Sequence, residues 1–299
     1  MHASDTVREL PMRPFDYHAP TTLDDVVALL RCHDGQASVF AGGTDLLVEM
    51  KEQVRRPAHL INLKRVPALD RLSYDARDGL HVGALVRVRD IETSPDVQRH
   101  YAGLWQAARE LGSIQVRCRA TLAGNVCRAS PSADTLPPLI ADAGVVHAHG
   151  PDGARRIAAE DFFTGPGRTV LARDEIVTAF TLPPPPARSG KAYLKHGRRK
   201  AMELATVGVA VSLTLADDGA VDGVRIVLGA VAPTPMRARR AEDMLRGERV
   251  GPGLLEVVSR TAMDESRPIS DVRASAEYRR RMVGVLTRRA IEQSLERAR

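Results

Sequence analysis

At 299 residues, 43% hydrophobic and 27% charged, the chain has the length for two domains and the composition of an ordered globular protein. No apolar run approaches the roughly 18 residues of a membrane span, and three scattered cysteines, Cys32, Cys118 and Cys127, do not make a disulfide framework or a zinc cluster. The net charge of +6 comes with acidic residues interleaved among the basic clusters and with no nucleic-acid motif, so the clusters read as solvated helix faces or a contact for acidic partners.

The first residues, MHASDTVRELPMRPFDYHAP, carry charges and prolines where a secretory signal needs an apolar run, so the expected compartment is the cytoplasm. TTLDDVVALLRCHD predicts a helix capped by Thr21 or Thr22, with Leu23, Val26, Val27 and Leu30 on one face. A strand SVFA, a glycine turn and a helix DLLVEMKEQV follow, then a strand HLINLK. GLHVGALVRVRDIE reads as a strand leading into a helix, and LWQAARELG as a helix. VRCRATLAGNVCRASPSAD lacks helical periodicity and is dense in Gly, Ser, Pro and Asn, which predicts a long loop. AGVVHAHGPDGARRIAAEDF reads as a hairpin through Gly150-Pro151-Asp152-Gly153. The four prolines of LPPPPARSGK, residues 182–191, interrupt any helix or central strand and serve as a linker. Beyond it, AYLKHGRR and LATVGVAVSLTLADDGAVDGVRIVLGAVAPTP predict three strands, and helices follow. The last helix carries Met282, Leu286, Ala290 and Leu295 along one stripe. This order gives an α+β class, with a first domain over 1–186 made of two α+β subdomains and a second over 187–299 built on a three-stranded antiparallel sheet with helices.

Two stretches carry candidate chemistry. The turn Ala41-Gly42-Gly43-Thr44-Asp45 joins a strand to a helix, where free N–H groups suit a phosphate. It is not the dinucleotide fingerprint, which spaces its glycines G-x-G-x-x-G and places an acidic residue about 20 positions on. A tight turn alone also explains it. The stretch from Thr121 to Asp134 offers small residues, hydroxyls and an amide to a polar ligand; a loop satisfied by its own side chains is the equal alternative.

AGGTDLL, then TLAGN, then ASPSAD before an apolar helix, resembles the flavin-binding subunit of molybdenum hydroxylases. This is the medium-subunit family of xanthine dehydrogenase and carbon monoxide dehydrogenase, whose FAD domain is of the vanillyl-alcohol-oxidase type. The resemblance continues through GALVRVRDIE, DEIVTAFTLP and AYLKHGRRKAMELATVGVAV, covering about residues 12–245. It implies that Phe40, Ala41, Gly42, Gly43, Thr44, Asp45 and Leu46 wrap the FAD pyrophosphate, the two glycines permitting close approach. Thr121, Gly124 and Asn125 would lie along the diphosphate and ribityl side, with Ser130 stabilising the loop. Asp134 would contact the adenosine half, and Ile176 or Val177 would pack on a ring of the cofactor. Lys195 falls where the family has a lysine contacting the flavin, and Leu204 where an apolar or aromatic residue covers the isoalloxazine. Ala123 stands where the family commonly has the first of two glycines.

The implied function is electron transfer through FAD within a molybdenum hydroxylase. Partners would be a small [2Fe–2S] subunit and a large molybdopterin subunit, in a dimer of heterotrimers. NAD, a quinone or oxygen would be the terminal acceptor. No residue is assigned as catalytic or metal-binding in this chain. The alternatives are a stand-alone FAD-dependent oxidase or dehydrogenase and a non-catalytic scaffold with a degenerate flavin site. His147-x-His149 lacks a third ligand nearby and reads as a solvated hairpin. Cys127 reads as a small buried thiol against the cofactor, and Glu203 as either a flavin neighbour or a surface residue.

Overall fold

The structure is a computed structural model that describes residues 12–299; residues 1–11, which hold most of the stretch read for a secretory signal, lie outside the described residues. The described residues open with a small parallel sheet, β1 (Asp16–His18), β2 (Ala37–Phe40) and β3 (His59–Asn62), in the order β1-β3-β2. Helix α1 (Leu23–Cys32) starts at Thr22, whose Oγ1 accepts from Asp25 N at 3.1 Å. Its buried Val26 and Leu30 pack with Ile61 and Leu63, so the predicted apolar face is the packed one. Helix α2 (Leu46–Lys51) is shorter than the sequence predicts, because Gln53 takes a left-handed conformation (φ 58°) that ends it.

The second unit is a five-stranded antiparallel sheet in the order β4-β5-β10-β6-β7, from β4 (Leu72–Asp75), β5 (Gly79–Gly83), β6 (Val145–Gly150), β7 (Gly153–Ala158) and β10 (Ile176–Leu182). The predicted hairpin is β6–β7, with Gly150 opposite Gly153. Between β5 and β6 run α3 (Val88–Thr93), α4 (Pro95–His100), α5 (Ala102–Glu110), α6 (Ile114–Arg117), α7 (Leu122–Arg128) and α8 (Leu136–Ala141). A two-stranded flap, β8 (Phe163–Gly165) and β9 (Arg168–Thr169), precedes β10.

The long loop expected over 116–134 is corrected by α7. Thr121 caps it by accepting from Gly124 N at 3.0 Å, and Leu122, Ala123 and Val126 form its buried face. Ala129, left-handed at φ 49°, stops it. The glycine and asparagine inside the segment weaken helix propensity, and burial of that face overrides them.

The proline run leads from β10 to a third sheet, β11 (Ser189–His196), β12 (Val207–Leu215), β13 (Val221–Gly229) and β14 (Met236–Arg237), all antiparallel in that order. β14 is a short fourth strand beyond the three expected. α9 (Arg239–Leu245), α10 (Pro252–Glu265) and α11 (Ala276–Ala298) follow, and Val283, Leu286, Ala290, Ile291 and Leu295 of α11 are buried with them. Tyr193, Ala210 and Val227 instead join the core of the second unit. The third sheet is therefore packed on both faces. Among the described residues no helix is long and apolar enough to cross a membrane.

Candidate functional site

The C-terminal end of β2 carries the glycine turn, and the turn faces α7. A Cβ on Gly42 would lie 2.2 Å from the carbonyl oxygen of Arg119 and 3.0 Å from Cα of Ala120, so the absent side chain lets the turn touch the backbone leading into α7. Gly43 has φ +75°, and a Cβ there would meet the Phe40 ring at 2.3 Å. The structural need for both glycines is thus met by protein; close approach to a phosphate is not required to explain them.

Between the turn, α7, the start of β10 and residues 202–204 opens a cleft of about 720 Å³. Ala41, Gly42, Gly43, Thr44, Asp45, Leu46, Thr121, Ala123, Gly124, Asn125, Ser130, Asp134, Ile176, Val177 and Leu204 all line it. Segments far apart in sequence converge on one cavity. Phe40 and Lys195 do not line it. Phe40 packs against Leu46, Met50 and Leu60, with the Lys64 ammonium 4.5 Å from its ring.

Lys195 lies one layer behind. Its Nζ donates to Asp134 Oδ2 at 2.8 Å, Glu110 O at 3.1 Å and Glu203 O at 2.7 Å. All three ammonium protons are engaged by protein acceptors, Asp134 among them. Tyr193 Oη donates to the other oxygen, Oδ1, at 2.8 Å. Burial pushes the Asp134 carboxyl up to about 6, against the opposing pull of Lys195 and the hydrogen bonds from Lys195 and Tyr193. Burial and the neighbouring Asp134 raise Tyr193 well above the usual phenol range.

The α7 wall is more self-satisfied than its composition suggested. Gly124 N is bound by Thr121 Oγ1, Asn125 N by Thr121 O at 3.1 Å and Leu122 N by Val86 O at 3.3 Å. The Asn125 amide oxygen accepts from Thr135 Oγ1 at 2.6 Å, while its Nδ2 has no partner among the described residues and lies on the cleft. Ala123 turns its methyl into the core. Gly124 is exposed; a Cβ there would meet only the Thr121 hydroxyl, at 3.1 Å. Ser130 Oγ accepts from Ser132 N at 3.4 Å, a weak bond across the turn after α7. The pairing of β10 with β6 slips between Val177 and Ala179, and Ile176 and Val177 enter different cores while both border the cleft.

Acidic groups on the wall are largely paired with arginines, on the wall or behind it. Glu49 pairs with Arg128 at 2.8 Å, Glu175 with Arg155 at 2.6 Å, and Glu203 with Arg199 at 3.2 Å and Arg198 at 3.7 Å. Asp45 sits at the N-cap of α2 yet makes no side-chain cap bond there. Sequence reasoning missed Glu49, Arg55, Arg128, Arg173 and Met202 among the lining residues. Arg128 lies within the stretch from Thr121 to Asp134, between two of the motifs; the others carry no sequence signal. Cys127 stands exposed on the cleft wall, not in the core. His147 bonds Thr181 Oγ1 at 2.9 Å and His149 bonds Asp24 Oδ1 at 3.0 Å, so the two diverge.

Comparison with known proteins follows the same segments. The family model described as the FAD binding domain in molybdopterin dehydrogenase matches residues 13–185, and that of the CO dehydrogenase flavoprotein C-terminal domain matches 192–294. A putative xanthine dehydrogenase FAD-binding subunit of Escherichia coli (strain K12) is 32% identical over 94% of this chain and 96% of its own length. The carbon monoxide dehydrogenase medium chain of Hydrogenophaga pseudoflava is 32% identical over 93% of this chain and 96% of its own. The solved carbon monoxide dehydrogenase of that organism, lacking the Mo-pyranopterin moiety, superposes with a TM-score of 0.92 at 32% identity, over 96% of this chain and 99% of that one.

Proposed function

The chain belongs to the family of FAD-binding subunits of molybdenum hydroxylases, and from that premise we propose that it relays electrons from a partner's iron–sulfur clusters through FAD to an external acceptor. The observation that carries the reading is the convergence of the glycine turn, α7, residues 176–177 and residues 202–204 on one cleft. Its volume, about 720 Å³, lies within the range of small-molecule and cofactor sites. The open space over Gly124 and the Asn125 Nδ2, without a partner among the described residues, fit a polar ligand laid along α7.

When bound, FAD supplies the two-electron chemistry that the side chains lack. The turn 41–46 and Arg128 would hold the diphosphate end, where Arg128 remains 45% exposed despite its pair with Glu49. Thr121 keeps α7 in place beneath the ligand and acts through the helix cap. Asn125 Nδ2 donates toward the cleft. Asp134, fixed by Tyr193 and Lys195, meets the adenosine half as an acceptor above its pKa and a donor below it. Ile176 and Val177 supply apolar wall. Leu204 and Met202, 46% and 53% exposed, cover the flavin end and leave it reachable by partner or acceptor.

The small [2Fe–2S] and large molybdopterin subunits, in a dimer of heterotrimers, are the partners this reading requires, with NAD, a quinone or oxygen as acceptor. Stopped-flow absorbance tests it. With the partner subunits present, substrate should bleach the flavin of this chain after the iron–sulfur centres, and the isolated chain should turn over no substrate. Turnover by the isolated chain would replace the proposal with a stand-alone oxidase.

A further inference from the structure

At the N-terminal ends of β2 and β3, the end of the parallel sheet away from the glycine turn, three histidines meet. In the β1–β3 ladder Asp16 lies opposite His59 and His18 opposite Ile61. Residues two apart share a face and parallel partners point the same way, so Asp16, His18, His59 and Ile61 stand on one face of the sheet. Ile61 identifies that face as the one α1 covers, since it packs with Val26 and Leu30. The C-terminal end of α1 then brings its C-cap residue, His33, over the other two. His33 stacks on His59 with ring centroids 3.6 Å apart, and His18 lies 5.3 Å from His33.

We infer that His18, His33 and His59 form a binding site for a divalent first-row transition ion, with zinc the fitting probe. One ring nitrogen from each residue lies within 4.8 Å of the others. His18 Nε2 and His59 Nδ1 are 3.2 Å apart. Around a tetrahedral zinc with bonds of about 2.0–2.1 Å, neighbouring ligand nitrogens stand about 3.3–3.4 Å apart. The observed pair is at that spacing, and the His33 nitrogen lies within 4.8 Å of both.

Three further features favour a cation. Imidazole nitrogen is a donor suited to zinc, nickel and copper, and the cluster holds three. The carbonyl end of the ten-residue α1 points its negative pole at the cluster. Asp16 Oδ2 stands 3.5 Å from His59 Nδ1, the ligand atom itself, so a carboxylate is at hand to reach the ion. The backbone is fixed beforehand: two ligands sit on paired strands, and His33 O accepts from Gln36 N at 2.8 Å and Ala37 N at 3.2 Å. All three histidines are half-buried, which leaves a path for the ion. A bound ion would tie β1, a three-residue edge strand, to α1 and β3.

The test uses the untagged, FAD-loaded chain, stripped with chelator and titrated with zinc against a chromophoric competitor, and with cobalt for its visible spectrum. One zinc per chain and a rise in thermal midpoint with zinc are expected. His18→Ala and His33→Ala should each weaken binding at least about 10-fold, and His33→Ala/His59→Ala should abolish it and the thermal shift. Flavin content, read from the opposite end of the sheet, reports whether each variant is folded; His33→Gln replaces any that is not. Zinc uptake absent in the parent chain, or unchanged in the folded double variant, would overturn the site. So would a cobalt spectrum that shows no imidazole ligation.

Discussion

Replacing Lys195 with Met removes the ammonium but keeps most of the volume, and its effect should depend on pH in a defined way. Lys195 and Asp134 are 5% and 7% exposed and 2.8 Å apart. The folded Asp134 pKa, about 6, already lies above the ordinary carboxylate value of 3.8. For an acid whose pKa is raised by folding, stability is full below the unfolded pKa and is lost as pH rises through the folded one. Without Lys195 the folded pKa moves higher still, so the loss continues above pH 6 where in the parent chain it levels off. Each pH unit of that extension is worth about 1.4 kcal/mol, so by pH 8 the variant should have lost up to about 3 kcal/mol more than at pH 5. That agrees in size with the 3–5 kcal/mol of an unpaired buried charge. A smaller, pH-independent loss from the bonds to Glu110 O and Glu203 O accompanies it. Urea midpoints of parent and Lys195→Met at pH 5 and pH 8 give the answer. Equal losses at the two values would refute the reasoning that Lys195 acts by compensating Asp134.

Other expectations follow from the same contacts. Gly42→Ala places a methyl 2.2 Å from the Arg119 carbonyl oxygen and should cost about 1–3 kcal/mol as the turn is pushed from α7; a denaturant titration alongside flavin content should show both falling. Gly43→Val, strained at φ +75° and aimed at Phe40, should lose bound FAD while circular dichroism keeps the signal of the C-terminal sheet and helices. Thr121→Ala removes the α7 cap and should cost about 1 kcal/mol by thermal unfolding.

Much of the fold is visible in local pattern. The α1 stripe, the β6–β7 hairpin and the long C-terminal helix each announce themselves by period or turn chemistry, and each forms as read. α7 does not, because Gly124 and Asn125 lie on its exposed side and only burial of Leu122, Ala123 and Val126 makes it a helix. The cleft residues came from motif resemblance, and most border one cavity. Lys195 stands behind the cleft wall, because sequence position cannot reveal that its three protons are taken by Asp134, Glu110 O and Glu203 O. The histidine cluster was invisible for a related reason: its members are 15 and 26 residues apart, and only the parallel pairing of β1 with β3 and the end of α1 bring them together.

The central claim is that the cleft between the glycine turn and α7 holds FAD, and Gly124→Leu tests it most directly. The position is exposed, lines the cleft and has only the Thr121 hydroxyl near a new Cβ, so a leucine occupies ligand space while the fold stands. Titration of the apo chains with FAD, followed by flavin fluorescence, should show affinity at least about 10-fold weaker in the variant, a difference of about 1.4 kcal/mol, with the apo thermal midpoints alike. Undiminished FAD affinity in a variant with a parent-like apo midpoint would contradict the account and place the cofactor elsewhere.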